Sequence, residues 1–180
     1  MREREARSNP VSWENERQHK EEKPIAFDAA KEYLEKIGLG DRVKEFDVSS
    51  ATVELAAQAV GCEPAHIAKT LSFLLGDEGI LIVAAGDAKV DNHKYKETFH
   101  TKAKMMTPEQ AVELVGHAVG GVCPFGIKPG IKVYLDESLK RFDIVYPACG
   151  SANSAVKLTI PELERASACE GWVDVCKGWE

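Results

Sequence analysis

Two apolar runs face each other across a four-residue turn near the middle of this chain, and few architectures can hold such a pair. The first is Ile67-Ala68-Lys69-Thr70-Leu71-Ser72-Phe73-Leu74-Leu75; the second is Ile80-Leu81-Ile82-Val83-Ala84-Ala85; Gly76-Asp77-Glu78-Gly79 lies between them. Ile67, Leu71, Phe73 and Leu75 share one parity, as on one face of a strand, while the second run is apolar throughout, as in a strand covered on both faces. So short a connection joins antiparallel neighbours. The fold must therefore bury a hairpin, and other elements must cover it.

The flanking patterns supply those elements. Ala30, Tyr33, Leu34 and Ile37 repeat at helical spacing over Ala29 to Ile37, with Asp28 as N-cap and Gly38 as stop. Val43 to Val48 reads as a short strand, and Ser50 is placed to cap a helix over Ala51 to Val60. Thr107-Pro108-Glu109-Gln110 and Thr159-Ile160-Pro161-Glu162 both have the spacing of a capping box and predict helix starts. Ile131 to Leu135, Phe142 to Tyr146, Val156 to Leu158 and Trp172 to Val175 read as further strands. Strands mixed with helices, including an antiparallel hairpin, predict an α+β class and not a doubly wound parallel sheet. Neither a G-x-G-x-x-G after a strand nor a P-loop occurs, which disfavours nucleotide-cofactor folds.

Two features carry candidate chemistry. Lys69 falls in the parity of the apolar face of its strand. A lysine there either snorkels out at the edge or aims its ammonium at an anion, and both readings stay open. The second feature is Gly116-His117-Ala118-Val119-Gly120-Gly121-Val122-Cys123-Pro124-Phe125-Gly126. It is either a sharp turn or a rigid loop whose N–H groups bind an anion or oxyanion. G-x-S-x-G elbows and H-E-x-x-H spacings are absent. Cys123 with His117 is a conceivable thiol–imidazole pair, although a small buried cysteine is the commoner case.

Composition narrows the setting. A formal net charge of −6 argues against a protein that coats nucleic acid. Within that acidic body, Lys89, Lys94, Lys96, Lys102 and Lys104 oppose only Asp91 and Glu97. Such a run is most often a solvated face, but Lys89, Lys94 and Lys96 are the candidates for phosphate contact. Five cysteines without a C-x-x-C predict reduced thiols, with no metal site. Residues 1–23 balance six basic against six acidic side chains around only Val11 and Trp13, so a disordered charged tail is expected before a domain over residues 24–180. No run of about 18 apolar residues occurs and no apolar leader opens the chain, which leaves a cytoplasmic location without membrane contact as the default.

In this order and spacing, Ile67-Ala68-Lys69-Thr70-Leu71, the loop Gly116 to Gly126, Val133-Tyr134-Leu135-Asp136-Glu137-Ser138 and Gly150-Ser151 resemble the YbaK/EbsC-type aminoacyl-tRNA deacylases. These are relatives of the editing domain inserted in bacterial prolyl-tRNA synthetases, and the likeness spans about Ile25 to Val175. The resemblance implies a mixed, largely antiparallel, barrel-like sheet with surrounding helices. It implies hydrolysis, without a cofactor, of the ester of a mischarged aminoacyl-tRNA carrying a small amino acid such as Cys, Ala or a proline analogue. An aminoacyl-tRNA synthetase is the further partner it suggests. Lys69, Gly120, Gly121 and Pro124 match its catalytic lysine and G-x-x-x-P loop. Thr70, Val122, Cys123, Asp136, Gly150 and Ser151 fall at its substrate-side positions. Ala155 stands where cysteine-clearing members carry an aspartate, so alanyl is as well suited as cysteinyl. A module of the same fold that binds tRNA or a nucleotide without hydrolysis fits the same residues.

Overall fold

The computed structural model describes residues 26–180; the charged segment 1–23, expected to be a disordered tail, lies outside them. The predicted hairpin is the centre of the fold. Strands β2 (Ile67–Leu75) and β3 (Glu78–Ala85) pair antiparallel through a turn tightened to Gly76 and Asp77, with Leu75 opposite Glu78 and Ala68 opposite Ala85. From Gly79 to Ala85 every residue of β3 is buried, as its unbroken apolar run requires.

The remaining elements are α1 (26–36), β1 (Val43–Glu45), α2 (Val53–Val60), β4 (Lys89–Val90), α3 (Asn92–Phe99) and α4 (Pro108–Leu114). After these come β5 (Lys132–Asp136), β6 (Ile144–Pro147), β7 (Ser154–Val156), β8 (Leu158–Thr159), α5 (Ile160–Ser167), β9 (Gly171–Val173) and β10 (Cys176–Lys177). Six strands form a curled half-barrel sheet in the order β8-β6-β2-β3-β5-β9. Two antiparallel ribbons, β1-β7 and β4-β10, flank it. β6 and β5 lie parallel to the hairpin strands they join, and β9 lies parallel to β5.

Both predicted capping boxes form: Thr107 and Gln110 exchange side-chain and backbone bonds at the start of α4, as do Thr159 and Glu162 at α5. The second helix differs from expectation. Thr52, not Ser50, accepts the Leu55 N–H as its N-cap, while Ser50 is buried and bonds to the Ala152–Ser154 turn. The basic segment divides into β4 and α3, where Asp91 caps the helix. Tyr95 turns inward from α3 to Phe73, with ring centroids 5.2 Å apart, and so ties the helix to the hairpin.

Candidate functional site

A cleft of about 240 Å³ opens along β2, between α2 and the glycine loop. Lys69, Thr70, Gly120 and Val122 line it together with Tyr146 and Ala155. Lysine and loop, some fifty residues apart in sequence, thus share one space. Gly121, Cys123, Pro124, Asp136, Gly150 and Ser151 stand behind or away from the lining.

Lys69 is half-buried, and its Nζ donates to the carbonyls of Gly86 (3.3 Å) and Ala88. An ammonium has three N–H donors, so one remains for a ligand. Burial pushes its pKa below the ordinary lysine value. The carbonyls that hold it belong to the bend after β3, and that bend is braced twice. Asp87 forms a bidentate pair with Arg141 at 2.6 and 3.0 Å, and the Arg141 hydrogen bond holds the Asp87 carboxyl below the usual range. The Ser138 hydroxyl accepts the Ala85 N–H at 3.1 Å.

Asp136 belongs to that bracing. It is fully buried; its Oδ2 accepts the Ser138 N–H at 2.9 Å and its Oδ1 accepts the Val175 N–H at 3.0 Å. Both oxygens are used inside the protein, so its route to the cleft runs through Ser138, Ala85 and the bend that carries Lys69.

The loop is held by backbone contact. Gly120 has φ +94°, a conformation that side chains rarely adopt. A Cβ on Gly121 would lie 2.6 Å from the Ser151 nitrogen, so loop and Gly150-Ser151 turn touch main chain to main chain. Inside the loop, the Gly121 N–H donates to the Ala118 carbonyl (3.1 Å) and the Cys123 N–H to His117 Nδ1 (3.2 Å). The N–H groups of Gly120 and Val122 have no partner among the described residues, and both residues line the cleft. Pro124 has no N–H to contribute.

The thiol–imidazole pair is present in space but not as a nucleophile. Cys123 Sγ lies 3.7 Å from His117 Nδ1, both side chains are buried, and burial pushes the thiol pKa far up and the imidazole pKa down. The neutral thiol is the stable form, and only the thiolate attacks. His117 instead fixes the loop by accepting the Cys123 N–H. Its single appearance in a glycine-rich stretch is the only sequence signal for that role. All five cysteines are free, and no group of three or more His, Cys, Asp or Glu side chains converges among the described residues.

The predicted phosphate-binding lysines separate. Lys89 and Lys96 are exposed. Lys94 is engaged by Asp174 (3.1 Å), Glu180 (3.5 Å) and the Cys176 carbonyl (3.0 Å). Asp174 raises its pKa. Sequence reasoning missed Ser50 and Ser154, which line the cleft and are buried. Their signal was too weak to find, since small polar residues in turns are common.

The model of the aminoacyl-tRNA editing domain family matches residues 48–166. The uncharacterized protein YwhH of Bacillus subtilis is 57% identical over 139 residues, which cover 77% of this chain and 88% of YwhH. The proline–tRNA ligase of Lysinibacillus sphaericus is 23% identical over 86% of this chain; the match spans 29% of the ligase. Among solved structures, a candidate trans-editing enzyme for prolyl-tRNA synthetase superposes with a TM-score of 0.77 at 31% identity, covering 85% of this chain and 98% of that one. Hypothetical protein APE2540 superposes with a TM-score of 0.74 at 28% identity, over 83% of this chain and 99% of its own.

Proposed function

The chain belongs to the aminoacyl-tRNA editing domain family, and on that premise we propose that it is a trans-editing deacylase of the YbaK/EbsC type. It would cleave the ester that joins a wrong, small amino acid to the 3′ end of tRNA. The observation that carries this reading is the meeting, in one cleft, of Lys69 with Gly120 and Val122, whose N–H groups are free among the described residues. Neither buried Cys123 nor buried His117 is available to attack.

An aminoacyl ester is already activated, so the protein has to position it and stabilise the charge that develops on its carbonyl oxygen. The third N–H of Lys69 binds the terminal phosphate or ribose. Gly120 and Val122 donate to the oxyanion. A water held by the neighbouring ribose hydroxyl adds to the acyl carbon, and collapse of the oxyanion breaks the bond to the ribose oxygen. That oxygen leaves with a proton from the water. The small walls at Ala56, Ala148 and Ala155 suit a small side chain. The tRNA is the macromolecular partner, and a synthetase that mischarges it is the source of substrate.

The test is a deacylation panel of small amino acids on several tRNAs. Release of at least one mischarged amino acid well above its spontaneous rate is expected. No release from any pair would remove the hydrolase assignment.

A further inference from the structure

The cleft is lined by six consecutive residues of β2, Ile67 through Ser72. Side chains alternate across a strand, so a surface facing one side of a sheet meets every second residue. Six in a row means that the cleft meets β2 along its edge, where main-chain groups point outward.

That edge is paired on either side of a gap. At one end Ala68 is in register with Pro147 of β6. At the other, the Ser72 carbonyl accepts the Met106 N–H at 3.0 Å and the Leu74 N–H donates to the Lys104 carbonyl at 2.8 Å. Alternation of the strand puts the main-chain groups of Ala68, Thr70, Ser72 and Leu74 on this same edge. Thr70 lies midway, and neither its N–H nor its C=O has a partner among the described residues. Its hydroxyl is buried and also unpaired. Unpaired main-chain groups beside an apolar cleft wall call for a partner.

Resting on the deacylase reading above, we propose that the Thr70 main chain recognises the α-aminoacyl group of the substrate as if it were one residue of a neighbouring strand. The Thr70 C=O accepts from the α-ammonium and the Thr70 N–H donates to the acyl carbonyl oxygen. An α-aminoacyl unit carries its donor and acceptor on either side of one Cα, at the spacing of a strand residue. It can therefore complete the reciprocal two-bond pair of an antiparallel ladder, each bond near 2.9 Å. Extended ligands add to sheet edges in the same way. This mode reads the amino acid backbone and leaves the side chain to the pocket walls. It also places a third donor on the acyl oxygen, beside the two of the glycine loop.

Two arms test this with the whole protein. The first uses an aminoacyl-tRNA that the protein hydrolyses and its desamino analogue, the same acyl chain with hydrogen in place of the amine. Each rate is divided by the spontaneous rate of that ester, because the amine itself activates the bond. A loss of rate enhancement of about tenfold or more is expected, since hydrogen bonds to charged groups are the strong ones. The second arm places the α-hydroxy acid analogue of threonine at position 70 by nonsense suppression, which removes that N–H and keeps the side chain. A drop in kcat of similar size is expected, with circular dichroism and Tm like those of the parent. Equal enhancement for both esters and an unchanged kcat would overturn the Thr70 assignment while hydrolysis stands. Failure to hydrolyse any aminoacyl ester would overturn both readings.

Discussion

Gly121 and Ser151 meet main chain to main chain: a Cβ on Gly121 would stand 2.6 Å from the Ser151 nitrogen and 2.7 Å from its Cα. Thirty residues of sequence separate them, and no side chain intervenes. This contact sets how deep the glycine loop lies against the turn between β6 and β7. Gly121→Ala must push loop and turn apart, because the atoms it would meet, Ser151 N, C and Cα, are backbone and cannot swing away. Overpacking of this kind costs about 1–3 kcal/mol. The expected result is a folded protein with lowered Tm and deacylation reduced at least tenfold, because the Gly120 and Val122 N–H groups move with the loop. A variant with parental Tm and activity would show that the contact yields without consequence.

Lys69 is held by two carbonyls through its ammonium and is one of the residues that line the cleft. Lys69→Met keeps the stem and removes the charge. Deacylation should fall about 100-fold or more, the size of losing a key electrostatic contact to the transition state. Lys69→Arg should not restore it, since a planar fork does not fit where a compact charge meets two carbonyls. Circular dichroism checks the fold, and full activity in Lys69→Met would rule the residue out of the chemistry.

Cys123 has its thiol 3.6 Å from the Phe125 carbonyl and is wholly enclosed. The native protein should keep its activity through iodoacetamide treatment at mildly alkaline pH. Cys123→Ser should remain active within about tenfold, at a cost of about 1 kcal/mol for the altered buried group. Stoichiometric loss of activity on alkylating Cys123 would point to a thiol mechanism instead.

His117 makes stability depend on acid. Burial holds its pKa below the ordinary 6.5, and the neutral Nδ1 accepts the Cys123 N–H. Once unfolded, the imidazole takes up a proton near pH 6.5, whereas the folded one resists to lower pH. Between those values the unfolded chain binds more protons, so stability is fully present above pH 6.5 and is lost as pH falls toward the folded pKa. Denaturation midpoints measured from pH 8 down to about 5 should fall more steeply for the parent than for His117→Asn. Parallel curves would mean that another group sets the acid limb.

Lys94 differs from its neighbours in the basic segment. Its ammonium is shared by Asp174, Glu180 and the Cys176 carbonyl, so it pins the C-terminal strand. Lys94→Gln should loosen β10 in hydrogen exchange and leave the salt dependence of tRNA binding as it was. Lys89→Gln and Lys96→Gln should each lower the slope of log K against log salt by about 1 if they meet a phosphate. Unchanged slopes for both would mark those lysines as solvated surface.

Local rules were enough for much of this protein. The β2–β3 hairpin follows from two apolar runs and a short turn, and the helix starts at Thr107 and Thr159 follow from groups three residues apart that satisfy each other's N–H. The order of the Lys69 segment, the glycine loop and the Asp136 segment also identified the family before any contact was visible. Non-local pairing decided the rest. Whether Ser50 caps α2 or turns toward Ser154, whether Lys94 is free, and whether Asp136 faces a ligand or clamps Val175 all depend on partners about 40 to 100 residues away. The gap at Thr70 is the clearest case. Its sequence is that of an ordinary strand residue, and its open N–H and C=O exist only because β6 pairs as far as Ala68 and the 104–106 segment begins at Ser72. Hydrophobic period and capping act within a few residues, and sequence carries them; which edge of a strand stays unpaired is settled by where distant segments come to rest.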